Sequence, residues 1–371
     1  MGLQRFRTNK KKPDYLLALV IFALSVFGVI MVYSASVVVS YKVYGYNNYY
    51  LNKQIISLII GVFVWIIFSN IDYRIWQKYA FWMLICTLFL LIAVFLPGIG
   101  VELGGAHRWI DVGFTLFQPS EIIKLTLIVY LAAWLAKKGE GVRDFQSGFL
   151  PFVVLIGLVV VLIMKQPDMG TMSVIASTAA IMFFVAGASL VHILLGGVSA
   201  LAVFWILIRS SAYRFQRFLT FLNPTDSSLG AGYHISQALL AIGSGGLLGL
   251  GFGLSEQKHL FLPQAQTDSI FAIICEELGF IRAILVILVY VFIAWRGYKI
   301  AKNAPDMFSR LLATGVTTWI VVQALINLAA MTGLIPLTGV PLPFISYGGS
   351  SLIVLFAAVG ILMNISKQSN R

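Results

Sequence analysis

This chain has little charge. Asp, Glu, Lys and Arg make up 11% of its 371 residues, against 59% hydrophobic residues. A soluble domain carries roughly 25% charged residues, so the charge here is too sparse to cover a water-facing surface. Acidic residues are the scarcer sign, 14 against 26 basic, which leaves a net charge of +12. A basic excess can signal nucleic acid, but no basic block is interleaved with aromatics on a soluble face, and nucleic-acid binding is set aside. Cysteine is nearly absent. Cys86 and Cys275 are the whole complement, and both lie inside apolar runs. That excludes a disulfide framework and argues against a thiolate metal site; both are expected to be small buried residues. The four histidines, at 107, 192, 234 and 259, show neither metal-ligand spacing nor a Ser-His-Asp pattern. There is no Gly-Lys-Ser/Thr phosphate loop. The glycines from Gly243-Ser244-Gly245-Gly246 to Gly249, Gly251 and Gly253 follow no buried strand, so a nucleotide loop is a weak reading. Tight turns and close helix packing suit them better.

Long apolar runs recur from Tyr15 to Ile365. A helix rises about 1.5 Å per residue and hydrocarbon is about 30 Å thick, so runs of about 20 residues span a bilayer. The runs predict an all-α polytopic membrane protein with about ten crossings. They lie near 15–37, 54–70, 75–96, 119–136, 148–165, 169–187, 191–210, 270–295, 311–334 and 348–366. Residues 1–371 read as one membrane domain, with a basic tail at 1–14 and a short tail at 367–371. The apolar run after Arg5, Arg7, Lys10, Lys11 and Lys12 is longer than the ~7–15 residues of a signal-peptide core, so it reads as a first helix that is kept. With the N-terminus inside, 16 of the 26 Lys and Arg residues fall in short cytoplasmic loops and tails. This bias places both termini in the cytoplasm. Outside lie 97–118, 166–168 and a long loop, 211–269, between the seventh and eighth spans. A loop of that length is usually functional. Its apolar stretches, such as Ala238-Leu239-Leu240-Ala241-Ile242, suit the membrane interface. No internal repeat is visible, so the transporter pattern of inverted repeats is weakly supported.

Ionisable residues close to apolar spans are costly and therefore informative. Asp268 stands where the long loop enters the eighth span, either as an N-cap or as a carboxylate facing a cavity on the outer side. Glu121 and Lys124 open the fourth span at i and i+3, on one face. They form either a helix-end ion pair or the lining of a polar cavity. Arg214, Arg217 and Lys258 in the long loop, and Arg108 in the first outer stretch, are candidate cations for an anionic substrate. Their plainer reading is snorkelling or solvated charge. Glu277 reads as half of a structural ion pair. Arg282 has no charged partner on its own helical face.

Together these motifs resemble the SEDS family (shape, elongation, division and sporulation), polytopic peptidoglycan glycosyltransferases that include FtsW and RodA. The resemblance runs over nearly the whole chain. It is carried by Gly105-Ala106-His107-Arg108-Trp109-Ile110, Phe117-Gln118-Pro119-Ser120-Glu121 and Gln166-Pro167-Asp168-Met169-Gly170-Thr171. Further on it includes Phe221-Leu222-Asn223-Pro224, Gly230-Ala231-Gly232-Tyr233, Glu276-Glu277-Leu278-Gly279 and Pro341 to Ser351. The FtsW-like division branch is nearer, through Tyr213-Arg214-Phe215-Gln216-Arg217 and Ser255-Glu256-Gln257-Lys258, with RodA and the sporulation homologues as the alternatives. Asp268 matches the family's essential aspartate, and Glu121 with Lys124 its charged cavity pair. The chain departs from the family at Gln264 and Gln266, which replace Glu and often His. It departs also at Ser269, which replaces an aromatic residue, and at Arg282, which replaces Gly.

The resemblance implies polymerisation of lipid II on the outer face of the bacterial cytoplasmic membrane, at the division septum. The acceptor's GlcNAc C4 hydroxyl attacks C1 of the growing strand's MurNAc, and undecaprenyl diphosphate leaves. Replacing an α-linked diphosphate by a β1→4 bond is an inversion, which one displacement and one base achieve; Asp268 is the candidate. Arg108, Lys124, Arg214, Arg217 and Lys258 are candidates for steadying the diphosphate. A Mg²⁺ or Mn²⁺ ion is compatible with this chemistry, though no ligand set is visible. The implied partners are lipid II, the growing glycan, a class B penicillin-binding protein, other division proteins and membrane lipids. The competing readings are a lipid II transporter and a non-catalytic scaffold.

Overall fold

The computed structural model describes residues 12–103, 105–111, 113, 116–222 and 230–369. The basic tail up to Lys11, the Asn223-Pro224 part of one motif and Arg371 lie outside the described residues.

The apolar runs become helices at nearly the expected places. They are α1 (Tyr15–Tyr44), α2 (Tyr49–Asn70), α3 (Tyr73–Ala93), α4 (Pro119–Lys138), α5 (Leu150–Lys165), α6 (Met169–Val185) and α7 (Leu190–Arg209). Two shorter helices, α8 (Ala212–Leu222) and α9 (Ala231–Ser244), lie in the long outer loop. The last three are α10 (Ile270–Lys302), α11 (Met307–Met331) and α12 (Gly349–Gln368). Among the described residues nine helical segments are long and apolar enough to cross a bilayer, and α6 is a shorter apolar helix. Together they account for the ten expected spans. Local signals set the ends. Asp14, Asp72, Asp168 and Asp306 each accept a backbone N–H in the first turn of the helix they precede, as N-caps do. Gly45 ends α1 in the left-handed conformation, with φ 79°, as C-terminal glycines do.

The centre of the bundle is α4, α11 and α12, most of whose residues are buried. Around them, α2, α5 and α7 turn apolar side chains outward. Leu194, Val198 and Leu201 of α7 are each at least two-thirds exposed, which only a hydrocarbon solvent tolerates along a whole helix. Close packing relies on small residues. Gly61 of α2 lies against Phe356 of α12, and Gly360 of α12 lies against Phe68 and Trp65 of α2. Cys275 is buried, but Cys86 is exposed on α3. The expectation that both are buried fails for Cys86, because α3 presents that side to lipid.

Two features depart from a plain bundle of straight helices. The first outer stretch folds as a small antiparallel sheet, β1 (Gly100–Leu103), β2 (Ala106–Asp111) and β3 (Leu116–Phe117), in the order β1-β2-β3. The second is a break in α10 at Gly279, where φ is 79° and ψ is 175°. The expected uninterrupted eighth span over 270–295 is therefore two pieces. Residues 270–277 are buried, whereas Phe280, Ile281, Ile284, Leu285 and Leu288 beyond the break are exposed. The exposed apolar face of α10 begins only after Gly279.

Candidate active site on the outer face

The break in α10 explains the glycine-rich part of the long loop. A break strands backbone donors and acceptors that need partners. The loop supplies them. Leu250 N–H donates to the Glu276 carbonyl (3.0 Å) and Gly251 N–H to that of Glu277 (3.0 Å). In return, Phe280 N–H donates to Gly246 (2.9 Å) and Ile281 N–H to Leu247 (3.3 Å). Backbone approaches backbone so closely that a Cβ at Gly245, Gly249 or Gly279 would fall on main-chain atoms of the other segment. Arg282 completes the junction. Its Nη1 donates to the carbonyls of Leu248 (2.8 Å) and Leu278 (3.1 Å), so this departure from the family has a local structural use.

Glu276 and Glu277 fasten the next turn of the loop. Glu276 accepts from the Ser255 hydroxyl and from the backbone N–H groups of Glu256 (2.9 Å) and Gln257 (3.3 Å). Glu277 pairs with Lys258 at 3.0 Å and accepts the Ser34 hydroxyl of α1 at 2.6 Å. Glu277 is thus half of an ion pair, as expected. Lys258 is buried in that pair and also donates to the Gly253 carbonyl. The structure does not bring it to Asp268 as a neighbouring cation. Its partner Glu277 lies seven residues beyond Ile270, the first residue of α10, about 10 Å along the axis at a rise of about 1.5 Å per residue.

Asp268 sits in the turn that feeds α10. It is not the N-cap, a place taken by Ser269. Its main-chain carbonyl accepts from Asn327 Nδ2 of α11 at 2.8 Å. The same amide donates to the Val340 carbonyl at 2.8 Å. Ser346 Oγ donates to the Thr267 carbonyl (2.6 Å), and Tyr347 N–H to that of Gln266 (2.9 Å). The turn 264–269 is thereby stitched to the segment between α11 and α12. Gln54 of α2, fully buried, donates to the Ser346 carbonyl at 3.2 Å and secures that segment in turn. Gly339, at φ 70°, leaves room beside Asp268 Oδ2.

The Asp268 carboxylate is half-buried. Its side-chain partner is the Thr267 hydroxyl, 3.0 Å from Oδ1. Among the described residues it forms no ion pair. Burial pushes it above the ordinary carboxylate range of about 3.8, against the pull of His234, Thr267 and Arg217. His234, on α9, bonds to Ser269 Oγ at 2.6 Å. Burial lowers its basicity, Asp268 raises it and Arg217 lowers it. Arg217, on α8, also donates to the Leu337 carbonyl at 3.4 Å. Asp268, His234 and Arg217 thus share one neighbourhood at the outer ends of the helices.

The other candidates lie elsewhere. Arg108 projects from β2 and donates to the carbonyls of Gln166 (2.7 Å) and Pro167. It clamps the sheet to the break between α5 and α6, where Asp168 caps α6 through Thr171. Glu121 and Lys124 form a buried pair at 2.8 Å inside the bundle. Lys124 also donates to Gln323 Oε1 of α11 at 3.0 Å, and Gln323 accepts from Trp319 at 2.8 Å. A narrow cavity below the pair is lined by Lys124, Trp319, Thr178 and aliphatic side chains. Arg214 lies on α8, half-buried. Among the described residues, no three His, Cys, Asp or Glu side chains converge as metal ligands. Around Asp268 the nearest such side chain is His234, so the described residues supply no complete ligand set of their own for a divalent cation.

This arrangement matches known proteins over its whole extent. Residues 14–371 match the model of the FTSW_RODA_SPOVE family, described as cell cycle proteins. The chain belongs to that family. Its members include stage V sporulation protein E of Bacillus subtilis, 41% identical over 98% of this chain and 99% of that one. A probable peptidoglycan glycosyltransferase FtsW of Geobacter sulfurreducens is 43% identical over 96% of this chain and 95% of that one. Among solved structures, a chain of a peptidoglycan synthase complex that coordinates polymerization and crosslinking superimposes with a TM-score of 0.79. It is 25% identical and covers 95% of this chain and 97% of its own. The rod shape determining protein RodA of Thermus thermophilus gives 0.71 at 26% identity, covering 97% of this chain and 98% of its own. Family membership therefore bears out the resemblance carried by the motifs.

Asn327, Gln54, Ser346 and His234 have no counterpart among the candidates taken from sequence. Asn327 and Gln54 were open to detection, since polar residues inside apolar spans are costly. Nothing in the sequence links His234 to Asp268.

Proposed function

We propose that this protein is a peptidoglycan glycosyltransferase that polymerises lipid II on the outer face of the cytoplasmic membrane, with Asp268 as its base. One observation carries the assignment of the base. Buried carboxylates elsewhere in the chain are committed: Asp14 to Arg296, Glu121 to Lys124, Asp168 to Thr171, Glu276 to the 255–257 turn and Glu277 to Lys258. Among the described residues Asp268 is in no ion pair, its side-chain hydrogen bond is to the neutral Thr267 hydroxyl, and it keeps contact with the outside.

In the reaction, the acceptor C4 oxygen forms a bond to C1 of the donor sugar as the bond from C1 to the diphosphate oxygen breaks. The bonding pair leaves with the diphosphate. The hydroxyl proton passes to the Asp268 carboxylate, and inversion follows from a single displacement. A base that must hold a proton briefly works best when its pKa lies towards neutrality, and burial moves Asp268 in that direction. Arg217 is the cation we assign to the diphosphate, because its charge already acts on Asp268. Arg214, on the same helix, is the second. Arg108 and Lys258 act through the backbone and buried groups they hold, and Glu121 with Lys124 shapes the interior cavity. A penicillin-binding protein is the proposed partner for crosslinking, and the division septum the proposed place of work. FtsW naming among relatives supports the septum, and the synthase-complex neighbour supports the partner.

The test is polymer formation from lipid II by the purified protein and by Asp268→Asn, alone and with a penicillin-binding protein. Loss of about 10²–10⁴-fold in the variant supports the base. Equal activity sinks it, and lipid translocation in vesicles without polymer favours a transporter.

A further inference from the structure

His234 and Ser269 stand on different elements, one in α9 and the other at the start of α10. In the fold, His234 Nε2 lies 2.6 Å from Ser269 Oγ. The Ser269 hydroxyl has one hydrogen and gives it to the Pro263 carbonyl at 2.9 Å. It must therefore accept from the ring, which makes Nε2 the protonated nitrogen of the neutral imidazole. Pro263 and Ser269 bracket the turn that carries Asp268. The ring thus holds the end of that turn from α9 while the hydroxyl closes it on itself. The family's usual aromatic residue has no aliphatic hydroxyl in this place, so the tether belongs to this chain rather than to the family pattern.

We propose that His234 is a positioning residue for Asp268: it fixes the turn through Ser269 and stands as the titratable neighbour with which the carboxylate shares its proton balance. This rests on the reading of Asp268 as the base. The charged groups that act on the ring are Asp268 from the turn and Arg217 from α8. Arg214 also lies on α8 and Tyr233 precedes His234 on α9, but among the described residues neither is a charge that acts on the ring. The one charged residue of α11, Arg310, is at its opposite end. Glu276 and Glu277 of α10 are taken by the 255–258 turn. Interacting groups of this kind titrate as a pair. A proton on His234 favours the ionised carboxylate, and an ionised Asp268 favours the protonated ring. Arg217 opposes the ring's protonation while supporting the carboxylate's charge.

The experiment is the rate of polymerisation from lipid II against pH, on the full-length protein with its crosslinking partner where activity requires it. Wild type is compared with His234→Gln, Ser269→Ala and Asp268→Asn. Glutamine keeps an N–H donor for Ser269 but carries no charge at any pH. We expect His234→Gln to keep its plateau rate within about threefold, since the tether survives. Its acid limb moves to higher pH by about half a unit or more, since Asp268 loses a cationic neighbour. Ser269→Ala cuts the tether and leaves the ring, so its plateau falls by about threefold or more while the limb stays near the wild-type position. A His234→Gln profile that superimposes on wild type overturns the proposal. Should that variant fail to fold, a Ser269→Ala profile indistinguishable from wild type overturns it instead. Asp268→Asn separates the two readings. If it is as active as wild type, the base assignment falls. If it is inactive while the other two variants match wild type, only the role of His234 falls.

Discussion

The side-chain amide of Asn327 holds the main-chain carbonyl of Asp268 at 2.8 Å and that of Val340 at the same distance. One fully buried residue of α11 thereby joins the turn carrying the carboxylate to the segment that packs beside it. Both hydrogens of the amide are used, so Asn327→Ala leaves two carbonyls without this donor. The expected loss is about 1–3 kcal/mol for each that stays buried, read as a lower unfolding temperature in detergent. Polymerisation falls too, because the turn loses its anchor. Asn327→Asp, which has no N–H to donate, is expected to be no better. Wild-type activity in either variant counts against the anchor.

Asp268 itself is expected to trade stability for activity. Its carboxyl titrates near 3.8 when unperturbed and is raised in the fold by burial. Between those two values the folded state binds more protons than the unfolded state. The stabilising effect of its protonation is therefore fully present below about 3.8 and is lost as pH rises through the raised value. At neutral pH the ionised group opposes folding. Asp268→Asn, neutral at every pH, should unfold at a higher temperature than wild type at pH 7 while losing polymerisation. The difference should shrink as pH falls towards 4. A variant less stable than wild type at pH 7 contradicts this account.

The pair formed by Lys258 and Glu277 is expected to behave as a buried ion pair. Glu277→Leu or Lys258→Met alone leaves a charge without its partner and should cost about 3–5 kcal/mol. Lys258→Met combined with Glu277→Leu removes both charges and should recover at least half of that loss. Unfolding temperatures of the two single variants and the double variant form the cycle. Additive losses show that the pair is not coupled.

Gly279 is where α10 and the glycine loop meet backbone to backbone. Gly279→Ala adds a Cβ that would fall on Leu248 and Gly249, in a conformation with φ 79° that L side chains rarely adopt. The expected result is poor recovery of folded protein, or destabilisation of at least about 2 kcal/mol. Gly253→Ala, also at positive φ but with open space around it, should be milder. Similar yield and unfolding temperature for Gly279→Ala and wild type rule out the close approach.

The composition, with 11% charged residues, and the length of the apolar runs determined by themselves that the chain is a helical membrane protein with about ten spans. These signals are local: a run of apolar side chains needs nothing from the rest of the chain to declare that it shuns water. The same holds for Asp268 as a carboxylate at a span boundary. Helix α10 was legible as an apolar run but its break was not. Gly279 acquires its meaning only from the loop segment 245–251, which meets it from a distant part of the chain. The small sheet over Gly100–Phe117 was hidden because its strands are too short to show alternation. The cations were visible but could not be sorted, since Arg108, Lys258 and Arg217 look alike until their acceptors are in place. Tertiary structure alone decided that Lys258 is spent on Glu277, that Asn327 anchors the turn of Asp268, and that His234 reaches Ser269. Each is a contact between residues far apart in the chain, and such contacts follow from how the helices pack, not from the pattern within any one of them.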